Sequence, residues 1–278
     1  MSTVFAPAKL NLHLRVICRR PDGYHDIATL MQKIDLSDTL TFRPRHGGVM
    51  LRCPGFPQLE NEDNLVFRAV KALFAVTGCS SGVEIVLQKR IPLGAGLGGG
   101  SSDAATTLVT LNEILGLGMT TEGLMRIAAR LGADVPFFLY GNRAWAFGIG
   151  DLLEPVVGLP PLWFVLVNPG FELSTRQVYE GLNLRLTKKA IHYSIPQLSS
   201  MSDVIESLYN DLEKVSFALH PALRELKEKV VEAGALGALM SGSGPTIYGV
   251  FGQENEALRA AGILQQNGNG FVKAVASL

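Results

Sequence analysis

Near the N-terminus the chain alternates. Leu10, Leu12, Leu14 and Val16 are apolar, and Asn11, His13 and Arg15 between them are polar, a period of two that predicts a strand. Pro21-Asp22-Gly23 interrupts it with strong turn chemistry. Strand-like runs follow at Ile27–Ile34 and Thr39–Phe42. Over Asn64–Val76 the period lengthens to that of a helix, with Leu65, Ala69, Ala72 and Leu73 on one face. Alternation returns at Val83–Leu87. Ala104–Leu115 is apolar and helix-compatible, and Glu122–Leu131 predicts another helix, closed by Gly132 at the C′ position. Trp163–Val167 predicts a short buried strand. Beyond it the pattern predicts helices over Asp203–Leu219 and Pro221–Ala233, a strand at Thr246–Phe251, a helix at Glu254–Gln265 and a last strand at Phe271–Val275. Strands and helices mixed without regular βαβ alternation predict an α+β fold. Glycines with Pro155, Pro160 and Pro161 mark a boundary near Gly150–Pro161, dividing the chain into domains 1–155 and 156–278.

Composition narrows the function classes. The chain has 278 residues, 47% hydrophobic and 18% charged, enough to bury a sizeable core and too apolar for disorder. Basic and acidic residues number 25 each, so net charge gives no reason to expect binding to nucleic acid or an anionic membrane. An anionic ligand must be held by a local arrangement. Cys18, Cys53 and Cys79 are far apart and share no metal or redox spacing, and the five histidines form no HExxH pattern. Met1–Pro7 lacks a basic segment followed by an apolar one, and no apolar run is long enough to span a bilayer. A soluble, cytoplasmic protein is expected. Its oligomeric state is left open.

The densest chemical signal is Pro92-Leu93-Gly94-Ala95-Gly96-Leu97-Gly98-Gly99-Gly100-Ser101-Ser102-Asp103. So many glycines cost chain entropy on folding, and the usual return is close backbone approach to a ligand with several amides turned toward an anion. A helix follows at once, and its N-terminal amides favour a polyphosphate. Ser101, Ser102 and Asp103 sit where capping or metal-facing groups are expected. Gly94, Gly96 and Gly99 also satisfy G-x-G-x-x-G, but several strands precede them, against a dinucleotide fold. No Lys follows in the order of a P-loop. The competing reading is a surface loop with an ordinary helix cap.

This loop resembles the second motif of the GHMP kinases, which holds the triphosphate of ATP. Pro7-Ala8-Lys9-Leu10-Asn11-Leu12 resembles the first motif of that family, and Met240-Ser241-Gly242-Ser243-Gly244-Pro245-Thr246 the third. Asp22-Gly23-Tyr24-His25, Gly132-Ala133-Asp134-Val135-Pro136-Phe137-Phe138 and Asn210-Asp211-Leu212-Glu213 are similar to signatures of its diphosphocytidyl-methylerythritol kinase branch. The resemblance runs from residue 7 to about residue 251. It implies a two-domain GHMP kinase architecture with the active site in the cleft between domains. It also implies that ATP phosphorylates the 2-hydroxyl of the methylerythritol moiety of a small-molecule substrate, in the non-mevalonate route to isoprenoids.

Residue roles follow from the same resemblance. Asp134 occupies the position of the family's catalytic aspartate, and Lys9 is its partner. A carboxylate beside an alcohol accepts the proton as attack proceeds, and an ammonium keeps that carboxylate ionised. Without the motifs, Asp134 reads as a turn-capping loop residue and Lys9 as an ordinary strand lysine. Pro92, Gly94, Gly96, Leu97, Gly98, Gly99, Gly100, Ser101 and Ser102 are implied to bind ATP, with Asn64 near the adenine and Lys89 before the loop. Mg²⁺ is expected because phosphoryl transfer needs its charge neutralised, and Ser102 is a candidate ligand. On the substrate side stand Asn11, Asp134, Tyr24 and His25, with Thr175 and Tyr179 from Ser174-Thr175-Arg176-Gln177-Val178-Tyr179, where the family position also takes Phe. His46, His192 and His220 read as surface or satisfied histidines. The alternatives are another GHMP kinase, acting on mevalonate, homoserine or a sugar, or a non-catalytic nucleotide-binding regulator on the same fold. A dehydrogenase fails on the context of the loop.

Overall fold

A computed structural model describes residues 1–182, 193, 195, 198–268 and 270–278. The alternating N-terminal run becomes two long strands, β1 (Ser2–Arg19) and β2 (His25–Arg45). Three strand-like runs in the sequence are thus two, because β2 continues through the polar positions of Asp35–Asp38. The chain continues through β3 (Val49–Arg52), helix α1 (Leu65–Thr77), β4 (Gly82–Gln88), α2 (Gly99–Ile114), α3 (Thr121–Leu131) and α4 (Val135–Tyr140). Then come β5 (Arg143–Phe147), β6 (Leu152–Pro155), β7 (Trp163–Asn168), α5 (Thr175–Glu180), α6 (Met201–Ser207), β8 (Tyr209–Asn210) and α7 (Glu213–Leu219). The last elements are α8 (Ala222–Glu232), β9 (Gly237–Met240), β10 (Ile247–Phe251), α9 (Glu254–Gln266) and β11 (Phe271–Ala276). This is the α+β fold read from the sequence.

Among the described residues the strands make two sheets. One has seven strands in the order β3-β4-β2-β1-β8, with β5 pairing β2 and β6. The other has four, in the order β11-β7-β10-β9. Strand β2 serves two neighbours, antiparallel to β4 over Thr39–Arg45 and to β5 over Thr29–Gln32.

The chain divides into two compact units. The first comprises Met1–Ala8, Leu36–Ile91 and Gly98–Gly141, and the second Lys9–Asp35, Pro92–Leu97 and Asn142–Leu278. This division is discontinuous where the sequence reading cuts once at 155/156, because β1 and β2 each supply residues to both units. In the first unit, α1, α2, α3 and α4 pack against one another. Helix α1 buries Val66, Ala69, Val70 and Leu73. Leu65 and Ala72, expected on that face, are only half-buried. In the second unit, α8 and α9 pack on the four-stranded sheet around a core that includes Val165, Val167, Leu226, Val230, Phe251 and Leu264.

Three expectations change. Helix α2 begins at Gly99, not Ala104, so glycines of low intrinsic propensity occupy its first turn. The helix expected over Asp203–Leu219 is two helices, α6 and α7. Between them Tyr209–Asn210 pairs in parallel with His13–Leu14 of β1, a tertiary pairing that overrides local helical preference. Gly132 ends α3 with φ 176°, extended and not left-handed.

Candidate active site

Within the second unit the three motifs meet. The Lys9 amide donates to the Leu97 carbonyl at 2.9 Å, so the first motif is paired with the glycine loop. The Ser241 hydroxyl donates to the Gly96 carbonyl at 2.9 Å, so the third motif holds the same loop from another side. Contact there is as close as backbone allows: a Cβ on Gly96 would stand 2.1 Å from the Ser241 carbonyl oxygen. Strand β1 aims alternate residues one way, and Lys9, Asn11 and His13 are all buried. The Lys9 ammonium donates to Asn11 Oδ1, Asn11 Nδ2 donates to Thr29 Oγ1 at 2.8 Å, and the Tyr248 hydroxyl donates to the Asn11 carbonyl at 2.8 Å. Lys9 and Asn11 are therefore held in one orientation.

Within the first unit the loop runs on into α2. Gly98 initiates the helix in the left-handed conformation, φ 69°, and no side chain caps it. The first helical hydrogen bond is from the Ser102 amide to the Gly98 carbonyl, 2.9 Å. The amides of Gly99, Gly100 and Ser101 therefore lie in the turn that a helix leaves unpaired, the arrangement that binds phosphate. Ser101 and Ser102 are inside the helix, not at its cap, because the helix starts at Gly99.

Lys89 is sequestered next to that turn. Its ammonium donates to Asp38 Oδ2, and to Asp103 Oδ2 at 2.8 Å. Asp38 Oδ1 also accepts the amides of Arg90 and Ile91, at 2.6 and 2.9 Å. Burial lowers the Lys89 pKa, but the two carboxylates outweigh it and raise the group overall. Burial pushes the Asp103 carboxyl up to about 7, with Lys89 pulling the other way. Breaking such a buried pair costs about 3–5 kcal/mol, so Lys89 is tied to the carboxylates that anchor the segment before the loop. Asp38 was missed in the sequence. The signal was there: it shares the inward face of β2 with Ile34, Leu36, Leu40 and Phe42, all fully buried or nearly so.

Asn64 caps α1, its Oδ1 accepting the Val66 amide at 2.9 Å while Nδ2 donates to the Leu59 carbonyl at 2.9 Å. Asp134 stands immediately before α4, half-buried, and its side chain caps no helix amide. Val135, Pro136, Phe137 and Phe138 behind it are buried, and α4 packs on α2 and α3. Its backbone is thus fixed by an apolar anchor.

The remaining substrate-side residues lie in the second unit. Asp22 holds the turn before Tyr24, accepting the Tyr24 amide at 3.1 Å and pairing with Arg20 at 2.9 Å. Tyr24 is 59% exposed, an available aromatic face. His25 is buried with its ring 5.1 Å from that of Tyr179, and burial followed by the charge of Arg19 lowers its pKa. Thr175 Oγ1 bonds Ser243 Oγ at 2.9 Å, which ties α5 to the third motif. His46 and His220 are exposed, and the His220 ring stacks on Phe171 at 4.7 Å. His192 lies outside the described residues.

His13 is a second residue the sequence reading passed over. Its Nδ1 donates to the Ser207 carbonyl at 2.7 Å, which leaves Nε2 to accept the Tyr193 hydroxyl at 2.6 Å. Burial lowers its pKa below 6.5, with the Ser207 bond opposing and Arg15 adding to the fall. Below about pH 6.5 the unfolded chain therefore takes up the proton first, and folding loses stability as pH drops. Urea unfolding from about pH 7.5 to about pH 5 should show a smaller loss in His13→Gln than in the parent. Parallel pH profiles would remove His13 from the balance.

The donor set fits a nucleotide and its metal. A Cβ on Gly100 would meet only Leu65 Cδ1, at 3.6 Å, so the first turn of α2 is open on that side. Ser102 Oγ and Asp103 Oδ1 are buried without hydrogen-bond partners. No cluster of three or more His, Cys, Asp or Glu able to hold a metal occurs among the described residues. Two protein oxygens suit a hard cation that takes the rest of its shell from phosphate and water. No helix among the described residues is long and apolar enough to cross a membrane.

Comparison with known proteins agrees with this geometry. Residues 64–142 match the GHMP kinases N terminal domain and residues 193–270 the GHMP kinases C terminal domain. The chain belongs to the GHMP kinases, a family of ATP-dependent kinases, and within them to the relatives that follow. It is 55% identical to the 4-diphosphocytidyl-2-C-methyl-D-erythritol kinase of Syntrophus aciditrophicus over 278 residues, covering 100% of both chains. It is 47% identical to the kinase of the same name from Geobacter metallireducens, covering 99% of this chain and 98% of that one. A crystal structure of 4-(cytidine 5'-diphospho)-2C-methyl-D-erythritol kinase matches with a TM-score of 0.83 at 36% identity, covering 99% of each chain.

Proposed function

We propose that this enzyme transfers the terminal phosphoryl group of ATP to the 2-hydroxyl of 4-diphosphocytidyl-2-C-methyl-D-erythritol, a step of the non-mevalonate route to isoprenoid precursors. The observation that carries the reading is the junction of all three motifs through Lys9, Leu97, Gly96 and Ser241, in a chain that matches such kinases end to end. The uncapped amides of Gly99, Gly100 and Ser101 bind the polyphosphate, supported by the helix dipole. Ser102 would hold Mg²⁺, which would supply charge neutralisation at the phosphates. Asp134 accepts the proton of the 2-hydroxyl as its oxygen bonds to phosphorus and the bond to the ADP oxygen breaks. The Lys9 ammonium, oriented by Asn11, stabilises charge on the transferred group. Three free cysteines agree with a cytoplasmic setting.

ADP release by the purified enzyme tests the reading, measured with and without the proposed acceptor and with mevalonate or homoserine in its place. Turnover confined to the cytidine-linked acceptor is expected. Turnover only with another alcohol would move the chain to a different acceptor class, and nucleotide binding without any turnover would favour a regulator.

The cytosine ring is read by Tyr24, His25 and Tyr179. A flat base needs an aromatic face and polar groups for its edge, and stacking on one base is worth roughly 1–3 kcal/mol. Tyr24→Ala should raise KM for the acceptor about tenfold or more and leave KM for ATP nearly unchanged. Equal losses for both substrates would make Tyr24 a turn residue only.

A further inference from the structure

The segment Tyr209–Glu213 interrupts what the sequence reads as one helix, and its polar side chains explain the interruption. Asn210 is buried, 6% exposed, with every polar group of its side chain used. Its Nδ2 donates to the carbonyls of Met240 and Gly242, both at 2.8 Å, and its Oδ1 accepts the Leu212 amide at 2.9 Å. Those two carbonyls flank Ser241. Glu213 Oε1 accepts the Met240 amide at 2.9 Å and is braced by Lys227 at 2.9 Å. The Ser216 hydroxyl donates to the Ser243 carbonyl at 3.1 Å. Three side chains from one short run therefore hold the backbone of three residues of the third motif.

The other side of the run grips β1. The Asp211 amide donates to the Leu14 carbonyl at 3.0 Å, and Asp211 Oδ2 accepts the Val16 amide at 2.8 Å. The Tyr209 hydroxyl donates to Asp211 Oδ1 at 2.6 Å. Strand β1 is the strand that carries Lys9 and Asn11. The Ser241 hydroxyl completes the connection, donating to the Gly96 carbonyl and accepting the Asn11 amide at 3.4 Å.

We infer that Asn210 is a positioning residue for nucleotide binding: it fixes the Met240 and Gly242 carbonyls so that Ser241 presents its hydroxyl to Gly96 and holds the glycine loop in its phosphate-binding form. The inference rests on the proposed kinase reading, which assigns the loop to ATP. Asn210 touches no substrate in this scheme. It acts through Ser241, so the two side chains work as one unit. An amide is required, because the position must donate to two carbonyls and accept from one amide at the same time. Aspartate has the same shape and keeps only the accepting role. It would set a carboxylate against two carbonyl oxygens.

The test is a double-mutant cycle on ATP affinity, measured by calorimetry with the full chain in the presence of Mg²⁺ and no acceptor. Ser241→Ala and Asn210→Asp should each weaken ATP about tenfold, the effect of one lost buried hydrogen bond. The double variant should be no weaker than the poorer single one, since either change already frees the loop. A role limited to folding predicts the opposite pattern, with lower melting temperatures, additive losses and unchanged ATP affinity in the folded variants. That result would overturn the inference. Should Asn210→Asp fail to fold, Asn210→Ser takes its place in the cycle: wild-type ATP affinity in that variant would overturn the inference, and a loss that Ser241→Ala does not deepen supports it. Failure of the kinase reading looks different. There the parent enzyme would bind ATP without phosphorylating the cytidine-linked acceptor, while the cycle on ATP affinity would stand or fall independently.

Discussion

Asp134→Asn is expected to lower turnover by about two to four orders of magnitude while ATP and the acceptor still bind. An alcohol is a poor nucleophile until its proton has somewhere to go, and asparagine offers no base at neutral pH. The position allows a clean test. Asp134 caps no helix amide, so the substitution breaks no cap, and the chain behind it is anchored by buried Val135, Pro136, Phe137 and Phe138. Single-turnover phosphoryl transfer on the folded variant, with separate binding measurements for each ligand, is the decisive experiment. Near wild-type transfer would dismiss Asp134 as the base and leave Lys9 and the metal to carry the step. Lys9→Ala is a poorer probe, because its ammonium also bonds Asn11, and its loss disturbs a substrate-side residue as well.

The fold was legible where local pattern and tertiary role agree. The helical face from Ala69 to Leu73 corresponds to an observed element because burial on one face decides it, and the alternation of Leu10 to Val16 corresponds to β1 although its polar positions Asn11 and His13 are buried too. The misses have physical causes. Helix α4, with its short run of Val135 to Tyr140, has too few turns for a period to emerge. Strands β5, β6 and β9 are four or five residues long, too short for a period to emerge, and β5 also depends on its remote neighbour β2. The break between α6 and α7 depends on Asn210 and Asp211 reaching Met240, Gly242, Leu14 and Val16, partners that no local window contains.

Site residues were legible through motifs and opaque through chemistry. Lys9, Gly96, Leu97 and Ser241 stand in recognisable runs, yet the hydrogen bonds that join these runs span up to 145 residues of chain. Asp38 shows the reverse case. A charged residue on the apolar face of β2 signals a buried partner, but nothing nearby in sequence names Lys89 as that partner. Asn64 illustrates a third outcome. Its side chain is committed to α1 and to Leu59, a capping role that a motif match alone does not reveal.

Gly96→Ala is expected to cost both stability and ATP affinity, and Gly100→Ala in the same loop is its control. Gly96 has φ +74°, where a Cβ costs about 1–2 kcal/mol by itself. That Cβ would also lie 2.1 Å from the Ser241 carbonyl oxygen and 3.2 Å from that of Gly244. Both obstacles are backbone, so the two glycine loops must separate to admit it. Gly100 is helical, and its Cβ would meet only Leu65 Cδ1 at an ordinary 3.6 Å. There the gain in helix propensity should offset any crowding, for a change of zero to about +1 kcal/mol in stability. Gly96→Ala should therefore lower the urea midpoint and weaken ATP by about a hundredfold or more, since displaced amides no longer converge on the phosphates. Gly100→Ala should unfold at or above the parent's midpoint. Calorimetry with ATP and urea titrations on both variants separate the possibilities. If Gly96→Ala lost stability but its folded fraction bound ATP as tightly as the parent, the close contact between the loops would be scaffold alone. The phosphates would then be held entirely by the first turn of α2, and Ser241 would have no part in binding them.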